Sequence, residues 1–209
     1  IIVTGIIGDG GTVDIGLQGL SAAAERNENV LWIVYDNEAY MNTGGQRSSS
    51  TTKYAATTTT PVGEMSRGKR ERKKNVPLLV ATHNVPYTAT ASVAYPEDLF
   101  GKLEYAKNIK GFRYIHISAP CPTGWSFDPK DTIKVGREMV LSGLWPLYEV
   151  IDGKTIRQTY KPKELKPVRG VLKMQGRFRH ITDTEVDEIQ QEVNDFWGRL
   201  TAKDGGPFF

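Results

Sequence analysis

Apolar residues recur in this chain as short β-branched runs separated by helical stretches, the pattern of a parallel sheet covered by helices. Ile1 to Ile7 is such a run and is expected as a buried parallel strand. Gly8-Asp9-Gly10-Gly11 breaks it sharply. Asp14 reads as the N-cap of a helix from Ile15 to Arg26, with Ile15, Gly16, Gly19, Leu20 and Ala23 as its close-packing face. Val30 to Tyr35 is the next buried strand, and the crossover between the two strands should be right-handed. Asp9 and Asn37 then fall at the same edge of the sheet, where α/β proteins bind ligands.

The alternation continues downstream. Val76 to His83 reads as a helix with Pro77 in its first turn, Tyr87 to Val93 as a strand, and Pro96 to Lys107 as a helix with Leu99, Leu103 and Ala106 facing the core. Phe112 to Ile117 is a further buried strand. Asp131 to Ser142 is helical and ends at Gly143. Asp152-Gly153 joins Trp145–Ile151 to Thr155–Tyr160 as a hairpin, expected at the edge of the sheet. Val168 to Gln175 is a short helix. Thr182 and Glu185 form a capping box for the last helix, which carries an apolar stripe of Val186, Ile189, Val193, Phe196, Trp197 and Leu200 to about residue 200. The tail from Asp204 to Phe209 is expected to be extended and able to lie on a partner. The fold class implied is α/β, a three-layer, mostly parallel sheet with helices on both faces. A domain over residues 1–150 is followed by a hairpin and helix extension over 151–209.

At 209 residues with 39% apolar content, the chain can bury a single core. No apolar run has transmembrane length and no signal peptide is evident, so the cytoplasm is the expected compartment. One cysteine excludes an internal disulfide framework, and a net charge of +3 neither demands nor excludes an anionic partner. The chain starts in mid-strand without an initiator Met, which reads as a fragment lacking its N-terminal part.

Two side chains carry the candidate chemistry. The Asp9 carboxylate and the Asn37 amide, at neighbouring strand ends beside a glycine turn, suit a hard divalent cation that shares its ligands with a phosphate. Gly8, Gly10 and Gly11 let the main chain approach closely. Arg47 can meet a substrate carboxylate or stand as an ordinary surface arginine. Residues 43–60, poor in bulky apolar side chains, read as an ordered functional loop. The basic run 66–74, SRGKRERKK, is read as a solvated helix start, with a nucleic-acid patch or a docking site for an acidic carrier as alternatives. His83 reads as a helix-end histidine. Cys121, between two prolines after a strand, is on composition alone a small buried hydrophobe.

GDGG followed by DNEAYMNTGGQ resembles the thiamine-diphosphate-binding motif. With THNVPYTATASVAYPEDL, SAPCPTGW and LKMQGRF it is similar to the β subunit of 2-oxoacid:ferredoxin oxidoreductases, of which pyruvate:ferredoxin oxidoreductase is the best known. The resemblance covers most of the chain. It implies that Asp9, the side chain of Asn37 and the carbonyl of Ala39 hold Mg²⁺. It also implies that Tyr40, Asn42, Thr43 and Gly44 join the glycines around thiamine diphosphate. Asn42 would face the reacting end of the cofactor and the substrate.

The same resemblance makes Cys121 the fourth thiolate of a [4Fe–4S] cluster whose other cysteines lie upstream of this sequence. The implied reaction is oxidative decarboxylation of a small 2-oxoacid, foremost pyruvate, with coenzyme A as a possible co-substrate and electrons passing to ferredoxin. Oxalate and 2-oxoglutarate are alternative substrates. No glutamate here answers to the one that faces the aminopyrimidine, so α-, γ- and δ-type partner subunits are implied, in a dimer of heteromers, with neither nucleic acid nor membrane. Two alternatives remain: a thiamine decarboxylase or synthase without iron–sulfur, and a non-catalytic nucleic-acid-binding module using residues 66–74.

Overall fold

The computed structural model describes residues 1–208; Phe209, the last residue of the expected tail, lies outside them. One seven-stranded sheet organises the chain. Its strands are β1 (Val3–Gly8), β2 (Val30–Asp36), β5 (Tyr87–Ser92), β6 (Arg113–Ser118), β7 (Tyr148–Ile151), β8 (Thr155–Gln158) and β9 (Gly206–Pro207). They lie in the order β1-β2-β6-β5-β7-β8-β9. The first four are parallel and the last three antiparallel. A two-residue ribbon, β3 (Ala39–Tyr40) with β4 (Gln46–Arg47), stands apart from the sheet.

The helices are α1 (Leu17–Glu25), α2 (Val76–Ala81), α3 (Pro96–Lys107), α4 (Pro122–Trp125), α5 (Thr132–Leu141), α6 (Val168–Lys173) and α7 (Asp183–Ala202). The pleat of the central strands sorts them into layers. Val34 and Tyr114 face α1 and α2 in a core with Val13, Leu20, Ala24, Val76 and Val80. Their neighbours Leu31, Ile115 and Ile117 face the other way, onto Leu99, Leu103 and Ala106 of α3. Burying a side chain such as Leu20 completely contributes about 2 kcal/mol. Every residue of β5 and β6 is buried, as expected for strands covered on both faces.

Three expectations need correction. Among the described residues β1 pairs with β2 alone, and Ile2, Val3 and Ile6 are exposed, so the burial expected of this strand is not seen. Asp14 is not an N-cap. Gly10–Ile15 forms a wider, π-type turn before α1, and the Asp14 carboxylate instead accepts from the Ser49 amide at 2.8 Å. Leu20 and Ala23 pack inward as expected, joined by Val13 and Ala24, whereas the wide turn leaves Ile15 81% exposed and a side chain at Gly19 would meet open space. The tail is extended as expected, with Gly206 and Pro207 pairing with Ile156 and Thr155 of the same chain.

Other expectations hold. The Asn75 side chain caps α2 through the Leu78 amide, Pro77 sits in the first turn, and His83 follows the helix end. The Thr182–Glu185 capping box is formed in both directions. Asp152 and Gly153, with φ of 52° and 61°, turn β7 into β8. Residues after 150 continue the sheet as β8 and β9, and Leu200 of α7 packs with Tyr148, Val150 and Ile156.

Candidate functional site

Asp9 follows the end of β1 and Asn37 the end of β2, and the six-residue parallel register between these strands brings the two side by side. The outer amide atom of Asn37 that faces Asp9 stands 3.1 Å from Asp9 Oδ1 and 2.9 Å from the Ala39 carbonyl oxygen. Two amide orientations fit this contact. With the nitrogen inward, the amide donates to both oxygens. With the oxygen inward, three oxygens converge, and such a cluster needs a cation among them. In an octahedron with metal–oxygen bonds of about 2.1 Å, adjacent oxygens stand about 3 Å apart, so the spacing suits a small hard cation.

The charges around this trio are unevenly matched. Asp36 is fully buried and accepts at Oδ2 from Lys73 Nζ (3.2 Å), with the His116 ring Nε2 2.8 Å from the same oxygen. Glu38, 2% exposed, meets Lys73 Nζ at 3.2 Å and Arg177 Nη1 at 2.9 Å. Burial alone would push both carboxyls up. For Asp36 the Lys73 ammonium and the His116 ring outweigh it, and for Glu38 the Arg177 and Lys73 cations do, so both are held below the usual carboxylate range. Asp9 is different. It accepts from the neutral Ser48 hydroxyl at 2.5 Å, and burial followed by the charge of Asp36 pushes its pKa up to about 8. Asp9 is thus the carboxylate in this group that lacks a cation of its own.

The glycine turn is shaped by Tyr40, whose hydroxyl donates to the Gly10 carbonyl at 3.0 Å. Gly8 ends β1, and Gly11 lies within the wide turn. Asn42, Thr43 and Gly44 lie in an exposed turn beyond Tyr40; Thr43 and Gln46 bond each other across it, and Gly44 has φ of 123°. Arg47 is half-buried and faces Glu71 at 3.6 Å. Cys121 is half-buried at the start of α4, where its sulfur accepts from the Gly124 amide at 3.4 Å. The same short helix reaches the Asp9 site, because Trp125 Nε1 donates to the Asn37 carbonyl at 2.8 Å.

The basic run 66–74 corrects a sequence expectation. It is neither a helix start nor a free patch. Arg67 pairs with Glu185, Lys73 with Asp36 and Glu38, and Lys74 with Asp14. Lys69 is 1% exposed and donates to the carbonyls of Ser49, Thr51 and Arg72. The loop Ser48–Thr52 likewise turns inward: Ser48 bonds Asp9, Ser49 bonds Asp14, and Thr51 and Thr52 bond Glu38. Sequence reasoning missed Asp36, Glu38, Ser48, Lys73, His116 and Arg177. Two signals were available: acids on both sides of Asn37, and a dense cationic run that something must neutralise. Behind Lys73 lies a cavity of about 280 Å³ walled by Lys73, His116, Thr90, Trp145, Tyr148 and Phe196; Asp9, Asn37 and Ala39 do not line it.

The family model for the thiamine pyrophosphate enzyme C-terminal TPP binding domain matches residues 2–117, from β1 through β6. The chain belongs to the thiamine pyrophosphate enzyme family. Pyruvate synthase subunit PorB of Methanothermobacter marburgensis is 53% identical to it over 192 residues, 92% of this chain and 66% of the relative. Ketoisovalerate oxidoreductase subunit VorB of Pyrococcus abyssi is 48% identical over 201 residues, 96% of this chain and 65% of the relative. This family member therefore spans just under two thirds of the length of those relatives.

A solved 2-oxoglutarate:ferredoxin oxidoreductase from Magnetococcus marinus, with 2-oxoglutarate, coenzyme A and succinyl-CoA bound, superposes with a TM-score of 0.53 at 31% identity. The match covers 61% of this chain and 41% of that one. The mostly parallel α/β fold expected of this thiamine pyrophosphate family member is the one observed. Among the described residues, no helix is long and apolar enough to cross a membrane.

Proposed function

We infer that this chain is the diphosphate-binding part of a thiamine-diphosphate-dependent 2-oxoacid:ferredoxin oxidoreductase, acting on pyruvate. The observation that carries the reading is the convergence of Asp9, Asn37 and the Ala39 carbonyl at the spacing of an octahedral shell, around a carboxylate lacking its own cation. These residues fit Mg²⁺, which takes oxygen ligands and leaves positions for phosphate oxygens. Bound there, thiamine diphosphate supplies the carbanion chemistry that cleaves a 2-oxoacid next to its carbonyl.

This chain's own groups hold and orient. Asp9, Asn37 and Ala39 grip the cation. Tyr40 fixes the Gly10 carbonyl, and the main chain at Gly8, Gly10 and Gly11 leaves room for the diphosphate. Asn42, Thr43 and Gly44, in their exposed turn, face outward toward substrate, and Arg47 stands one ribbon strand away. The PorB relative at 53% identity favours pyruvate, with a branched 2-oxoacid as the second reading from VorB at 48%.

For an iron–sulfur cluster the residues present do not suffice. Such a cluster takes four thiolates as a rule, and this sequence holds one cysteine. Cys121 can supply one ligand, the remainder coming from outside the sequence. Partner subunits and ferredoxin belong to the same proposal, as does the division at residue 150. The deciding experiment is cofactor analysis of the purified complex. Asp9→Ala is expected to lose bound thiamine diphosphate; full retention would overturn the reading.

A further inference from the structure

We propose that Glu38 is the positioning residue of the cation site: it never touches the cation, but it holds the ligands on either side of it, Asn37 and Ala39, turned toward Asp9. The inference rests on the divalent-cation reading above.

Glu38 stands between the two ligands with φ of 62°, a left-handed backbone that a long side chain adopts only when its surroundings impose it. That reversal lets the Asn37 side chain and the Ala39 carbonyl, two residues apart, meet on one side. All of its polar atoms are engaged. Its amide donates to Asp36 Oδ1 at 2.8 Å, and its carbonyl accepts from Thr51 Oγ1 at 2.5 Å. Carboxylate Oε2 accepts from the Thr52 amide (3.0 Å), the Thr52 hydroxyl (2.8 Å) and Arg177 Nη1 (2.9 Å), and Oε1 from Lys73 (3.2 Å).

The two cations are themselves fixed. Arg177 stacks on Trp125 with its guanidinium carbon 3.9 Å from the ring centroid, and Lys73 lies 4.2 Å from that of Trp145. Trp125 in turn holds the Asn37 carbonyl through its indole Nε1. A carboxylate 2% exposed and held by Thr52, Arg177 and Lys73 is fixed away from the cation. Its effect must therefore pass through the backbone it pins.

Mn²⁺, followed by its electron paramagnetic resonance signal, is the probe, titrated into the whole complex prepared without thiamine diphosphate. Asp9→Ala, Glu38→Gln and Thr52→Val are compared with the parent, with Arg67→Ala as a variant that disturbs the same loop away from the site. Glu38→Gln is expected to weaken Mn²⁺ binding at least tenfold and Thr52→Val several-fold, while Arg67→Ala binds as the parent does. Should Glu38→Gln fail to fold, Thr52→Val alone decides. If Asp9→Ala loses Mn²⁺ while Glu38→Gln and Thr52→Val bind within twofold of the parent, this inference is overturned and the cation reading stands. If Asp9→Ala also retains full affinity, both are overturned.

Discussion

The ring of Tyr40 occupies the space that a side chain at Gly10 would need: a Cβ built there would stand 2.5 Å from Tyr40 Cε1. Glycine at position 10 is thus set by close approach, with the phenol hydroxyl bonded to the same residue's carbonyl. Gly10→Ala should force ring or turn to move, at a cost of about 1–3 kcal/mol, and weaken divalent-cation binding at Asp9. Because the penalty comes from one contact, it should shrink when Tyr40→Ala is present as well. A double-mutant cycle by chemical denaturation measures this; additive effects would mean the clash is not the cause.

Lys69 offers a second test, of the inward-turned basic run. Its ammonium is caged by three carbonyls, and burial lowers its pKa to about 8. Replacing it with methionine keeps the stem but leaves those carbonyls without their donor. Lys69→Met should destabilise the fold by about 1–3 kcal/mol, read as a lower urea midpoint at unchanged m-value. A solvated surface lysine would show almost no change. The same inward ion pairs predict no steeply salt-dependent binding to DNA.

These outcomes bear on what the sequence could disclose. Asp9 and Asn37 were legible as neighbours because two short apolar runs with a helix between them admit essentially one arrangement, and residues just past parallel strand ends share an edge. Thr182–Glu185 and Asp152-Gly153 were legible because their chemistry is local. The partners of Glu38 were not. Thr52, Lys73 and Arg177 reach it from 14, 35 and 139 positions away, across segments with no periodicity. The outward turn of Ile15 was hidden for another reason: the π-type turn over Gly10–Ile15 adds residues to the turn, so an α-helical period counted from Asp14 places Ile15 wrongly while Leu20 and Ala23 still face the core.

Acid stability tests how the loop is fastened to α7. Glu185 accepts from Arg67 and from the Thr182 amide and hydroxyl, and the Arg67 bonds above all lower its pKa to about 2. A folded pKa below the unfolded one means the contribution is complete above about pH 4.5 and disappears as pH falls toward 2. The stability gap between the parent and Glu185→Gln should therefore be constant from pH 7 to about 5 and close between 4.5 and 2. Urea unfolding at a series of pH values checks this; a gap unchanged at pH 2.5 would show that ionisation is not its source.

Cys121 separates the iron–sulfur part of the proposal from the thiamine part. Its sulfur stands at the head of α4, while the same helix reaches the cation site through Trp125 and the Asn37 carbonyl. Replacing the thiol with a hydroxyl leaves that indole contact in place and keeps an acceptor toward the Gly124 amide. Serine is a poor ligand to cluster iron, because the soft thiolate is what iron–sulfur sites select. Cys121→Ser in the whole complex should therefore lose one cluster's worth of iron and acid-labile sulfide per copy of this chain while retaining its thiamine diphosphate. Full iron content would remove Cys121 from the ligand set. Joint loss of iron and thiamine diphosphate would instead show that the α4 turn supports the cation site structurally, through Trp125.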